Sequence, residues 1–162
     1  MPDYVCSLLA NTQTIPVTGA DYYIVRFPFG TESYDAHGMH DPAQPDGVTS
    51  AYPDPRSGLI WPKHDAWATL HALMYWEADN YTELRDRFVR DPLGLSTGYD
   101  STCTEDRAIT PGGQYIAKTW GMFVHPETSI ALMVKHNAPG PVKLTLAEFK
   151  LSYHRDGEPP CP

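Results

Sequence analysis

Apolar positions recur at every second residue over much of this chain, which is the spacing of strands that turn alternate side chains toward a core. The pattern is densest between positions 112 and 154. It predicts three strands there, at Gln114–Val124, 129–136 and 142–153. The turn His125–Pro126–Glu127 separates the first two, and the breaker cluster Asn137–Ala138–Pro139–Gly140–Pro141 separates the last two. Three strands cannot bury an apolar face by themselves, so the upstream chain has to supply partners.

The upstream pattern meets that need. Positions 4–10 read as a first strand, Asn11–Thr12–Gln13–Thr14 as a polar turn, and 22–27 as a second strand ended by Pro28 and Gly30. Positions 31–56 are rich in Asp and Pro and are expected to form a long surface loop with short extended pieces. A short strand follows at 58–61. Ala66–Trp76 contains good helix formers, but Pro62 and the strand-rich surroundings favour a long buried strand. Positions 81–90 read as an exposed strand, with Leu84, Asp86, Phe88 and Arg90 opposite Arg85, Arg87 and Val89. Positions 96–104 read as a polar strand. The sum is an all-β sandwich of about eight to ten strands in a single domain of residues 1–155, followed by a flexible polar tail at 156–162.

Two strands are apolar on both faces. Trp67, Leu73 and Tyr75 fall on one face of the Ala66–Trp76 strand, and Leu70, Met74 and Trp76 on the other. In the last strand, strict alternation puts Leu144 and Leu146 on one face and Phe149, Leu151 and Tyr153 on the other. A sandwich needs one apolar face per strand, so the surplus calls for a cover, either a subunit interface or long loops.

Composition narrows the function. The 162 residues carry a net charge of −8, which disfavours nucleic acid as a partner. No apolar run approaches the ~20 residues of a membrane helix, so no membrane partner is expected. The first residues have neither a basic region nor a long apolar core, so the expectation is a chain made without a secretion signal. Sixteen prolines and twelve glycines suit a loop-rich β fold. Cys6, Cys103 and Cys161 have no zinc-site spacing; they are either three unpaired thiols or a Cys6–Cys161 bridge plus Cys103. The bridge requires the first and last strands to be antiparallel neighbours.

Taken together, these stretches resemble a C1q/tumour-necrosis-factor-type jelly roll over positions 4–153. The segment TESYDAHGMHD resembles the family's loop with a Tyr–Asp pair, and SGLIWPKHDAWATLHALMYW resembles its aromatic strands around a Pro-containing turn. GGQYIAKTWGMFVHPETSIALMVKHN resembles the next strand pair, and AEFKLSYH the last strand with its Phe at Phe149. Two turns depart from the family pattern, with His64–Asp65 where a Gly is usual and Pro126–Glu127 where Gly–Asp is common. The resemblance implies adjacent first and last strands, the arrangement a Cys6–Cys161 bridge needs. It also implies a homotrimer, with Trp67, Leu73, Tyr75, Trp76, Leu144, Leu146, Phe149 and Leu151 as core or trimer-interface residues. The whole pattern is similar to the short jelly-roll tail and capsid-decoration proteins of tailed bacteriophages. It implies a virion protein made in the host cytoplasm, with other virion proteins and a host-surface glycan as partners.

Candidate chemistry is sparse. His37-x-x-His40-Asp41 is a weak candidate metal set in what is more simply a solvated polar loop. Tyr34, His37, His40 and Tyr52 are the candidate ligand-loop residues. No GxSxG elbow or phosphate-binding Gly loop is present, and Glu105 and Asp106 near Cys103 would raise its thiol pKa rather than activate it. The expectation is a non-enzymatic protein without a cofactor.

Overall fold

The computed structural model describes residues 3–155. Eight strands run in the order β1 (Asp3–Ile15), β2 (Tyr23–Ile24), β3 (Ala66–Trp76), β4 (Leu84–Arg90), β5 (Asp100–Arg107), β6 (Gln114–Val124), β7 (Ile130–His136) and β8 (Val142–His154), with one 3-10 turn at Pro55–Gly58. They form two antiparallel four-stranded sheets, β1-β8-β3-β6 and β2-β7-β4-β5. Only the β4–β5 connection stays within one sheet. Every other connection carries the chain across the sandwich, and the result is an all-β jelly roll.

The first and last strands are neighbours, paired from Asp3↔His154 to Ile15↔Val142. The core lies between the sheets. Leu8, Leu70, Met74 and Trp76 from the first sheet meet Phe88, Leu132 and Val134 from the second. Phe149 stacks on Phe88 at 5.8 Å. Fully burying side chains of this size contributes about 1.5–3 kcal/mol each. Cys6 sits inside this core, where burial first, then the charges of Asp35 and Glu32, push its thiol pKa upward.

The second sheet is covered on its outer face as well. Leu59 and Trp61 fold back over Ile24, Val89, Ala131 and Met133 as a smaller apolar cluster. Close approach is needed to bring the segment in: a Cβ on Gly58 would lie 2.2 Å from the Val25 carbonyl oxygen.

The loop at 31–56 is ordered mainly by carboxylates that cap backbone N–H groups. Asp35 accepts from Met39 N and His40 N at 2.9 and 2.8 Å, and Asp41 from Ala43 N at 2.8 Å. Asp54 accepts from Ala51 N, Ser57 N and the Ser50 hydroxyl. Each aspartate folds a local turn that needs no partner strand.

Several sequence expectations change. The loop is not wholly a surface feature, since Met39 is fully buried and His40, Gln44 and Ser50 are nearly so. The polar stretch at Asn11–Thr14 continues β1, because it pairs with the start of β8. The 22–27 strand keeps only two residues as regular strand; Val25 is buried and still donates to the Leu132 carbonyl, while Phe27 is buried and bonds Ser57 instead. The 58–61 segment makes a single bridge, Ile60↔Ile130. The 81–90 strand is central rather than exposed, lying between β7 and β5. Strict alternation also fails in β8: a register shift opposite Tyr75/Trp76 leaves Leu144 and Phe149 both facing the core and Leu146 facing out. The proposed tail and Cys161 lie outside the described residues.

Candidate functional site

A run of exposed aromatic surface follows from the way β3 and β6 pair. Their register sets Trp67 opposite Phe123, Leu70 opposite Trp120 and Tyr75 opposite Tyr115. The inward positions Leu70, Met74, Ile116 and Met122 fill the core. The outward positions then have nothing to pack on but each other. Trp67 and Phe123 meet edge to face at 4.9 Å, and Tyr75 and Tyr115 at 4.4 Å. They remain open to solvent: Trp67 is 58% exposed, Tyr115 68% and Phe123 59%. Trp120 projects at the free edge of β6, 42% exposed.

Gly121 shapes this ridge. A Cβ there would sit 2.7 Å from Cζ2 of Trp67, so the missing side chain is what lets the indole lie down over β6. Two hollows adjoin the ridge. One, of about 310 Å³, is lined by His71, Leu73, Glu148 and Lys150, and the other, of about 480 Å³, by Asp65, Trp67 and His154. The face therefore has an aromatic ridge along its β6 edge and depressions toward β8.

Few charges interrupt the face. Lys150 and Glu148 pair with each other at 3.4 Å, and His71 bonds Thr119 at 3.1 Å. At the β1 end the same sheet is covered, because Tyr34 bridges Ser7 and Ser33 bonds it. The exposed aromatics lie on β3 and β6, beside the adjoining stretch of β8.

The sequence-predicted residues divide cleanly. Trp67, Leu73, Tyr75 and Leu146 lie on the outward face, half-buried or exposed, whereas Trp76, Leu144, Phe149 and Leu151 are core. Tyr115, Trp120 and Phe123 were missed, although a two-faced pattern marks their strand: Ile116, Met122 and Val124 alternate with Tyr115 and Phe123, while Trp120 shares the inward parity and is exposed at the free edge.

The ligand-loop candidates are dispersed. Tyr34 and Tyr52 are exposed. His37 packs on the Tyr4 ring at 4.2 Å, beside a stacked Tyr4–Tyr153 pair. His40 is buried, with Nδ1 2.7 Å from a Glu32 carboxylate oxygen and Nε2 2.8 Å from the Ser57 carbonyl oxygen. Both ring nitrogens are therefore engaged. Neither nitrogen is left for a metal, and Asp41 is engaged with its own turn. Among the described residues, no three His, Cys, Asp or Glu side chains come together as a metal site. The Cys103 thiol is pushed up first by burial, then by Glu105, with Lys118 pulling the other way.

No protein-family model matches the chain, and no curated protein sequence matches it. Solved structures do. The fold is similar to Eiger TNF from S. frugiperda, at 12% identity and a TM-score of 0.60, covering 100% of this chain and 99% of that one. It is similar to murine APRIL at 8% identity and a TM-score of 0.65, covering 94% and 100%. It is also similar to the globular domain of zebrafish complement 1qA, at 13% identity and a TM-score of 0.53, covering 94% and 99%. At these identities the likeness establishes the TNF/C1q-type jelly roll and nothing finer.

Proposed function

We propose that the chain is a non-enzymatic structural and attachment protein that works as a homotrimer, three copies joining through the outward face of β3 and β6. The observation that carries this is the exposed aromatic surface of that face, Trp67, Tyr115 and Phe123, beside depressions that a further copy can fill. Ridge-into-hollow contact is compatible with a two-fold pair as well as a closed ring, and the fold type selects between them. The TNF/C1q-type fold, typically trimeric, fits a ring of three. Exposed Trp, Tyr and Phe are the residue types that anchor protein interfaces. The two described thiols are both held toward the protonated form, which suits a protein without thiol chemistry.

The sequence resemblance to bacteriophage jelly-roll proteins extends the reading to a virion, with the trimer at the tail tip or on a tail fibre. Capsid decoration at three-fold positions is the rival placement, and copy number per particle separates them: a few trimers for a tail, many for a shell. The test of the assembly claim is Tyr115→Glu combined with Phe123→Glu, read by sedimentation velocity. Separated monomers that keep the β-sheet spectrum support it, and an unchanged oligomer counts against this face.

A further inference from the structure

The opposite face of the molecule carries a second cleft, built from different chemistry. On the outer side of the β2-β7-β4-β5 sheet, the register sets Arg87 opposite Met133 and Arg85 opposite Lys135. Tyr22, just before β2, lays its ring against this row. The Arg87 guanidinium sits 3.5 Å from the Tyr22 ring centroid, and Lys135 Nζ 5.7 Å from it. Arg87 Nη1 donates to the Tyr99 hydroxyl at 3.2 Å, and that hydroxyl leans on the Met133 sulfur at 3.7 Å. The cleft between Asp21, Tyr22, Arg87, Tyr99 and Met133 measures about 540 Å³.

The charge of this site is unbalanced. Arg56, Arg85, Arg90 and Arg107 each hold a carboxylate within 4.0 Å. Among the described residues, neither Arg87 nor Lys135 does. The Arg87 Nε is buried and makes no hydrogen bond. In a chain with 20 acidic and 12 basic residues, an arginine with no carboxylate within 4.0 Å is conspicuous, although Asp21 lines the same cleft. The Arg87 guanidinium is oriented by two tyrosines and lines a cleft of ligand size.

From this geometry we infer that the cleft binds a carboxylated saccharide. The sugar's carboxylate would take the Arg87 fork, with Lys135 reinforcing the charge. Asp21 and the Ala20 carbonyl offer acceptors to sugar hydroxyls, and the Asp21 carboxylate disfavours a phosphate dianion more than a singly charged carboxylate. Tyr99, Pro92 and Met133 supply the apolar wall on which the C–H face of a pyranose rests. This names a ligand class for the attachment role proposed above and rests on that reading. It uses the opposite sheet, so the site and the assembly can fail separately.

The test is calorimetric titration of the full chain with N-acetylneuraminic acid and with glucuronic acid, against glucose, inorganic phosphate and a glutamate-rich peptide. A second arm uses an immobilised glycan ending in the same acidic sugar. Saturable binding of a sugar acid is expected, with affinity falling about tenfold or more in Arg87→Gln and in the glucose comparison. Arg87→Lys keeps the charge without the fork and is expected not to restore binding. Retention on the glycan places the sugar at a chain end, and binding of the monosaccharide alone places it free in solution; both uphold the site. No saturable binding, phosphate or peptide binding as tight as the sugar acid, or an Arg87→Gln variant that binds like the parent would each overturn it. Solution mass and melting temperature are recorded on every variant. Should Arg87→Gln unfold, Lys135→Gln carries the same comparison.

Discussion

Lys118 on β6 and Asp86 on β4 form an ion pair that joins the two sheets through the interior, Nζ to Oδ1 at 2.5 Å, with neither side chain open to solvent. Arg107 holds the other Asp86 oxygen at 3.0 Å, and the Cys103 carbonyl accepts from Lys118 at 2.5 Å. A register shift between Asp86 and Phe88, with Cys103 at φ 51°, breaks the regular ladder beside this pair.

The pair is unequally supported, and that fixes the expected outcome of breaking it. Asp86→Ala leaves the buried Lys118 ammonium with only the Cys103 carbonyl and a Glu105 oxygen at 3.9 Å, while Arg107 keeps Glu105 at 2.6 Å, and a loss of about 3–5 kcal/mol is expected. Lys118→Met leaves Asp86 paired with Arg107 and is expected to cost clearly less. Urea unfolding of the two variants makes the comparison. Equal losses would mean that Arg107 does not share the charge.

Acid stability should depend on Asp91. Burial alone raises its pKa, but N–H donors from Ser96, Gly98 and Leu95 outweigh burial and leave it below the ordinary carboxylate range. A depressed folded-state pKa contributes stability that is present above the unfolded value of ~3.9 and is lost as pH falls through the folded value. Asp54 is depressed in the same sense, burial being outweighed by Ser50 and by backbone donors. Asp91→Asn is therefore expected to lower stability at neutral pH and to flatten the loss below about pH 4. Thermal melts across roughly pH 2–7 would show it, and parallel curves for parent and variant would refute it.

His40 pins the long loop to the 3-10 turn. With both ring nitrogens engaged, His40→Gln is expected not to keep both bonds, at a cost of about 1–3 kcal/mol. The loosening should be local, since Glu32 and Ser57 both belong to the segment around the loop. Limited proteolysis is expected to cut within 31–56 in the variant while the sandwich core stays intact.

Gly121→Val tests the ridge by shape rather than charge. A side chain there meets the Trp67 indole and lifts it from β6. Assembly is expected to weaken while the monomer keeps its sheet spectrum. An unchanged dissociation constant would remove Trp67 from the contact.

The two strands that carry the candidate face were legible in full. Both are flanked by turn residues; Ala66–Trp76 alternates throughout, and Gln114–Val124 alternates except at Trp120–Gly121. Where the fold departs from the pattern, tertiary partners decide. Asn11–Thr14 looks like a turn by composition, but the β8 ladder extends through it. The β8 phase change depends on an irregularity opposite Trp76 that no local residue announces. His37, His40 and Asp41 are close in sequence, yet the Asp35 turn and the Glu32–His40 pair send them to different partners. The Arg87 cleft was invisible because Tyr22, Arg87 and Met133 meet only through the order of strands in the second sheet.

The most direct measurement is the solution mass of the purified chain by light scattering. A value near three times 18.1 kDa, falling to a single copy when Tyr115 and Phe123 become glutamate, is the result expected of a ring closed through β3 and β6. A parent protein that stays monomeric across the concentration range would contradict it.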